Sequence, residues 1–146
     1  MDDDWQTAAS LLRLASGLVD GIQAGVASCG FPDVRPAHGF AFARISEGDA
    51  TVTDLAVHLG VSKQAASQLV DQLAQRGYVR RAPDPRDARA RLVVLTDRGV
   101  ACTAAAHDAA AHVVAMWRDS LSTSDATVFS DVLRVLADGG SLRPAW

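Results

Sequence analysis

The sequence predicts a mainly α-helical chain with one small β-hairpin, in which a central domain is flanked by longer helices from both ends. Three observations carry this prediction. Apolar residues recur at spacings of three and four over most of the chain. Thr51-Val52-Thr53-Asp54 and Ser122-Thr123-Ser124-Asp125 have the spacing of helix capping boxes. Only Tyr78–Ala82 and Arg91–Leu95 read as β-like runs, and they lie close together.

Residues Trp5 to about Cys29 read as one long helix, with Leu11, Leu12, Ala15, Leu18, Val19 and Ile22 on its apolar stripe. Gly17, Gly21 and Gly25 punctuate it at four-residue intervals and fit close helix–helix approach. Gly30-Phe31-Pro32-Asp33 breaks the pattern. A shorter helix follows Pro36 through Phe40, Phe42 and Ile45, and Ser46-Glu47-Gly48-Asp49 ends it. Thr51 opens the next helix, and Gly60-Val61 makes a turn. Ser62 then caps a helix running to about Arg76, with Gly77 in the C-terminal glycine position. The two β-like runs follow. The prolines of the link Pro83-Asp84-Pro85-Arg86-Asp87-Ala88-Arg89-Ala90 argue for an exposed hairpin loop in place of regular strand. Thr96 caps a long helix to about Ser120, and Ser122 caps a last one that Gly139-Gly140 stops.

Composition limits the function classes. Apolar residues form 49% of the 146, too many for a disordered chain, and the 5% aromatic content points to closely packed helices with small aliphatic cores. No run of about 18 apolar residues is present, and the acidic Asp2-Asp3-Asp4 start is unlike a secretion signal, so the expected location is the cytoplasm, with no membrane partner. The net charge of −3 hides a segregation. Gly60 to Gly99 holds eight basic residues against four acidic ones, a net of +4, which leaves −7 for the remainder. A basic surface on an acidic body fits a polyanionic partner.

The segment from Val52 to Asp71 meets the demands of a helix-turn-helix. Ala56 is the small residue where two helices touch. Four residues on, Gly60 supplies the free backbone of the turn, and Leu55, Leu59, Val61, Ala66 and Leu69 supply the contacts. In the second helix Ala66, Leu69, Val70 and Leu73 face the core. Lys63, Gln64, Ser67, Gln68 and Gln72, with Ala65 in part, face outward. This outward face is polar and nearly uncharged. A glutamine can pair bidentately with adenine, and an alanine methyl can meet the methyl of thymine. Gln64 and Gln68 lie one turn apart, and the helix start at Lys63 offers N–H groups to a phosphate. By itself such a face also fits an ordinary solvated helix; the turn in register and the arginine-rich hairpin behind it favour DNA. Arg86, Arg89 and Arg91 furnish the hairpin, and a protruding arginine suits a minor groove. Asp84 and Asp87 are expected to hold those side chains by local ion pairs.

The run Asp84-Pro85-Arg86-Asp87-Ala88-Arg89, followed by Leu92-Val93-Val94-Leu95-Thr96-Asp97-Arg98-Gly99, resembles the wing signature of the MarR family of bacterial regulators. Leu55-Ala56, Gly60-Val61-Ser62, Leu69-Val70-Asp71-Gln72-Leu73 and Arg76-Gly77-Tyr78-Val79 resemble that family in order and spacing. The resemblance implies a winged helix-turn-helix domain over 35–99, with helix-turn-helix at 52–76 and wing at 78–95, and a dimerisation region over 5–34 and 100–140. It implies a homodimer on a palindromic operator in double-stranded DNA, usually as a repressor, often released by a small aromatic or lipophilic effector or by cysteine oxidation. Carried over by position, Ser62, Lys63, Gln64, Ala65, Ser67 and Gln68 face the major groove, Arg89 enters the minor groove, and Arg86 and Arg91 lie near the backbone. The segment Arg35–Ile45 commonly lines the effector pocket, which makes His38 and Phe42 the candidate pocket residues. Here it departs from the family, with Pro36-Ala37-His38-Gly39-Phe40-Ala41-Phe42 where bulkier aliphatics are usual.

Other classes find little support. Nothing in the sequence implies a cofactor. His107 and His112 are five apart and share no helix face, so no metal site is expected. Cys29 and Cys102 have no basic neighbour in sequence and read as buried, inert thiols. No nucleophile elbow, phosphate loop or dinucleotide fingerprint is present, which argues against an enzyme. The alternative is a winged-helix module that binds a protein or ligand without an operator. A protein-binding module would show an apolar outward face, whereas Gln64, Ser67 and Gln68 are polar.

Overall fold

The structure is a computed structural model, and it describes residues 3–144. Its elements follow in the order α1 (Asp3–Ser28), α2 (Pro36–Ser46), α3 (Val52–Leu59), α4 (Lys63–Gln75), β1 (Val79–Asp84), β2 (Asp87–Leu95), α5 (Asp97–Asp119) and α6 (Thr123–Leu136). It is mainly helical with one two-stranded antiparallel hairpin, as the sequence predicts. No described helix is long and apolar enough to cross a membrane. The chain divides into two units, one of residues 3–32 with Ala105–Gly140, the other of Asp33–Ala104 with 141–144.

In the second unit α3 packs on α2 and α4, β1 on α4, and β2 on α2. Phe42, Leu55, Val70, Leu73, Tyr78 and Val93 form its core and are almost wholly buried. Burial of one such side chain is worth roughly 1.5–3 kcal/mol. Local chemistry sets the helix ends. The Thr51 hydroxyl accepts the Asp54 N–H at 3.2 Å, while Asp54 Oδ2 accepts the Thr51 N–H at 2.8 Å. Gly60 adopts φ +66°, so the Val61 N–H reaches back to the Ala56 carbonyl at 3.0 Å and closes α3. Ser62 caps α4 by accepting the Ala65 N–H at 3.1 Å.

The hairpin departs from the expected loop. Its strands run on through Pro83 to Asp84 and back from Asp87, leaving Pro85-Arg86 as the turn. Pairing is regular from Val79↔Leu95 to Pro83↔Arg91, then jumps to Asp84↔Asp87, so Ala88, Arg89 and Ala90 bulge from β2. Both strands of a two-stranded ribbon are edges. A proline without an N–H is tolerated there, and the register breaks directly after it.

In the first unit Gly21 lies against Val113, and Gly25 against Ala109, so closely that a Cβ at either glycine would clash; Gly17 has no such neighbour. Two of the three glycines thus serve close helix approach. Trp117 meets Phe129 edge-on, with ring centroids 6.4 Å apart. α6 has no buried residue, and Trp5, Leu11, Leu12, Met116, Val128, Val135 and Leu136 are all at least half exposed. Cys102 is buried as expected, but Cys29 is exposed because it falls in the turn beyond α1.

One close approach in the second unit sets up a test. A Cβ at Gly99 would strike the Tyr78 carbonyl. Helix propensity alone predicts that Gly99→Ala stabilises by up to about 1 kcal/mol. The clash reverses that sign, and overpacking costs about 1–3 kcal/mol. Urea unfolding of Gly99→Ala is expected to show a lower midpoint than the parent; a higher one would mean that the backbone relaxes freely at this site.

Candidate nucleic-acid interface

The Gly60 turn carries the chain from α3 into α4 and leaves one face of α4 outside. Ser62, Lys63, Gln64, Ala65, Gln68 and Gln72 are exposed and Ser67 is half-buried, while Ala66, Val70 and Leu73 are buried. The Ser62 hydroxyl is engaged as acceptor by its cap and keeps its O–H to donate. Among the described residues Lys63 forms no ion pair, and it stands at the start of the helix, where N–H groups have no intrahelical partner.

The arginines divide into two groups. Arg81 on β1 pairs with Asp71 of α4 at 2.8 Å and ties the wing to the helix. Arg76 donates to the Asp33 carbonyl at 2.9 Å. Arg86 lies 3.3 Å from Asp84 through Nε and 3.3 Å from Asp49 through Nη2. By contrast, Arg80, Arg89 and Arg91 are exposed and form no ion pair among the described residues. Arg89 sits in the bulge of β2 and Arg91 just after it. The expectation for the two wing aspartates holds for one of them. Asp84 is buried and binds Arg86 through both its backbone N–H (2.9 Å) and its side chain, whereas Asp87 accepts the backbone N–H of Arg89 at 2.9 Å. The Arg86 N–H is the main cause that holds the Asp84 carboxyl below its usual pKa. Sequence reading missed the Arg81–Asp71 and Arg86–Asp49 pairs, because neither partner lies nearby in the chain.

A second polar cluster lies inside this unit. The Tyr78 hydroxyl donates to Asp33 Oδ1 at 2.6 Å and accepts from Arg98 at 3.1 Å, with the Arg98 guanidinium 4.6 Å above the ring centroid. Phe42 packs against Tyr78 with centroids 5.7 Å apart, and is nearly inaccessible. His38 is buried too, and its Nδ1 accepts the Arg35 N–H at 3.0 Å, which caps the start of α2. The two candidate pocket residues are thus occupied in packing and capping. Burial pushes the Cys102 thiol up to about 11, which leaves it protonated and unreactive near neutral pH.

Residues 33–90 match the model of the MarR family. No curated relative matches the chain in sequence. Among solved structures, RV1404 from Mycobacterium tuberculosis superposes with a TM-score of 0.82 at 20% identity, over 100% of this chain and 99% of that one. Wild-type MarR from E. coli, in its apo form, gives 0.71 at 20% identity over 88% and 95%. The transcriptional regulator Tm0710 from Thermotoga maritima gives 0.67 at 26% identity over 90% and 92%. The fold is that of a winged helix-turn-helix protein. Over residues 33–90 the chain is similar to the MarR family, and Tm0710, at 26% identity, is a transcriptional regulator.

His38 yields a pH prediction. Burial first, then the charges of Arg76 and Arg35, lower its pKa from the usual 6.5, while Asp33 opposes them. The folded value lies below the unfolded one, so the histidine's contribution to stability is full above about pH 6.5 and fades as pH falls through the folded value. His38→Asn keeps an acceptor that does not titrate. Its unfolding midpoint is expected to vary less between pH 7 and 5 than that of the parent; equal slopes would assign the acid sensitivity to another group.

Proposed function

We propose that the chain is a homodimeric, sequence-specific operator-binding regulator that represses a nearby gene. The observation that carries this reading is a nearly uncharged, exposed α4 face together with Lys63, Arg80, Arg89 and Arg91, which form no ion pair among the described residues. On this reading Ser62, Lys63, Gln64, Ala65, Ser67 and Gln68 enter the major groove, and Gln64 and Gln68 read base edges. Arg89 reaches the minor groove from the bulge of the wing, and Arg91 lies against the backbone. The unburied apolar side chains of α1, α5 and α6 support a two-fold dimer, which would set two recognition helices about 34–36 Å apart, one turn of DNA. Release by a small aromatic or lipophilic effector belongs to the same reading. A ligand acting through His38 and Phe42 would have to open the contact of Phe42 with Tyr78.

Binding to the DNA upstream of its own gene, titrated against salt, tests the proposal. Affinity is expected to fall steeply, with a logarithmic slope of about −0.9 for each phosphate neutralised. Arg89→Ala is expected to weaken binding to every sequence, and Gln68→Ala to change base preference by about 1–3 kcal/mol at one position. Affinity that is flat in salt would reject operator binding. Sedimentation tests the dimer: the parent is expected to be dimeric at micromolar concentration, and Leu136→Asp to dissociate. A monomeric parent would remove the two-fold arrangement.

A further inference from the structure

The connection between α2 and α3 holds more than a turn. Arg44 donates to the carbonyls of Gly48 and Asp49, each at 3.4 Å. Ala50 is fully buried, and its carbonyl accepts the Val93 N–H at 2.8 Å in a single antiparallel bridge to β2. Asp49 Oδ2 lies 3.3 Å from Arg86 Nη2. The wing is therefore fastened to this short connection twice, by a main-chain bond at the level of Val93 and by an ion pair at its turn. The second fastening lies where the first gives no help. Ladder pairing lapses at Ala88, Arg89 and Ala90, so the turn lacks regular cross-strand bonds. A lone two-stranded hairpin is marginal in water.

We propose that Asp49 is a positioning residue for DNA reading: through Arg86 it holds the turn of the wing so that Arg89 and Arg91 are presented to the duplex, and Arg86 serves this tether in place of a phosphate. The proposal rests on the operator-binding reading above. Its charge logic is specific. Arg86 already faces two carboxylates, Asp84 and Asp49. If Arg86 were a phosphate ligand, Asp49 would compete with the phosphate and repel the DNA, and its removal would tighten binding. As a tether, its removal loosens the turn and weakens binding. The two roles predict opposite signs for one substitution.

The test uses the full chain and the DNA upstream of its gene, with Asp49→Ala, Arg86→Ala, the double variant and Asp49→Glu, each checked for an unaltered melting temperature. Each single alanine variant is expected to weaken binding about threefold, the scale of an exposed ion pair. The double variant is expected to be no weaker than either single one, and Asp49→Glu to recover most of the loss. The salt slope is expected to stay that of the parent throughout. Unchanged or tighter binding by Asp49→Ala would overturn the proposal, as would additive losses or an Arg86→Ala slope flatter by about 0.9. Amide exchange in the DNA-free protein tests the tether independently: exchange at residues 86–89 is expected to speed up in Asp49→Ala, and unaltered exchange would overturn it. A parent that binds no DNA would sink operator binding, and the exchange measurement would still decide the tether.

Discussion

The second unit is organised around the burial of Tyr78. α2, α4 and α5 all meet this residue, which directly precedes β1. Its N–H bonds the Leu73 carbonyl at 2.9 Å and closes α4, and its own carbonyl accepts the Thr96 N–H at 3.0 Å where α5 begins. Its ring lies on Phe42 of α2 and beneath Arg98 of α5, and its hydroxyl reaches Asp33. Gly99 is glycine because the Tyr78 carbonyl occupies the space of a Cβ. A buried phenol needs a partner for its hydroxyl, and here an anion, Asp33, and a cation, Arg98, are both within hydrogen-bond reach. The Asp33 carboxyl accepts that proton, and this bond is the largest cause of its lowered pKa. The direction of α4, and so of its outward face, follows from how these bonds fix its C-terminal end.

Electrostatics then separate into holding and reaching. The +4 of the central segment looked like a single basic surface in the sequence, yet Arg76, Arg81 and Arg86 are paired within the fold. What faces outward with no ion pair among the described residues is a smaller set: Lys63 at the start of α4, Arg80 on β1, and Arg89 and Arg91 on β2. On the proposed function, the charge of such a set would attract any duplex, and the amides and hydroxyls between them would carry sequence preference. Ser62 shows how closely the two duties are combined, because the hydroxyl that caps α4 is also exposed to a partner.

Much of the unit was legible because its signals are local. Thr51, Ser62, Thr96 and Ser122 read as caps, and Gly60 as a left-handed turn, since each acts on residues three or four away. The buried stripe of α4 followed from its period. The strands run further than the prolines of the link suggest, because an edge ribbon admits proline at Pro83 and breaks register afterwards. Cys29, with no basic neighbour in sequence, reads as a buried thiol, yet the turn after α1 puts it outside. The pairs Asp33–Tyr78, Asp71–Arg81 and Asp49–Arg86 join residues 45, 10 and 37 apart, and no periodicity announces them.

The first unit poses the opposite problem, because its sequence promises more burial than the chain delivers. Gly21 and Gly25 let α1 approach α5 at Val113 and Ala109, yet Val135 and Leu136 remain about three-quarters exposed, and Leu12 nearly two-thirds. Association costs roughly 4–15 kcal/mol in lost freedom. Each large aliphatic fully covered returns about 1.5–3 kcal/mol. A handful of these side chains on each of two copies is enough to cross that range, whereas the same number on a lone chain stays in water. An amphipathic α6 with no buried residue therefore makes physical sense as one half of an interface, which the proposed two-fold dimer would supply.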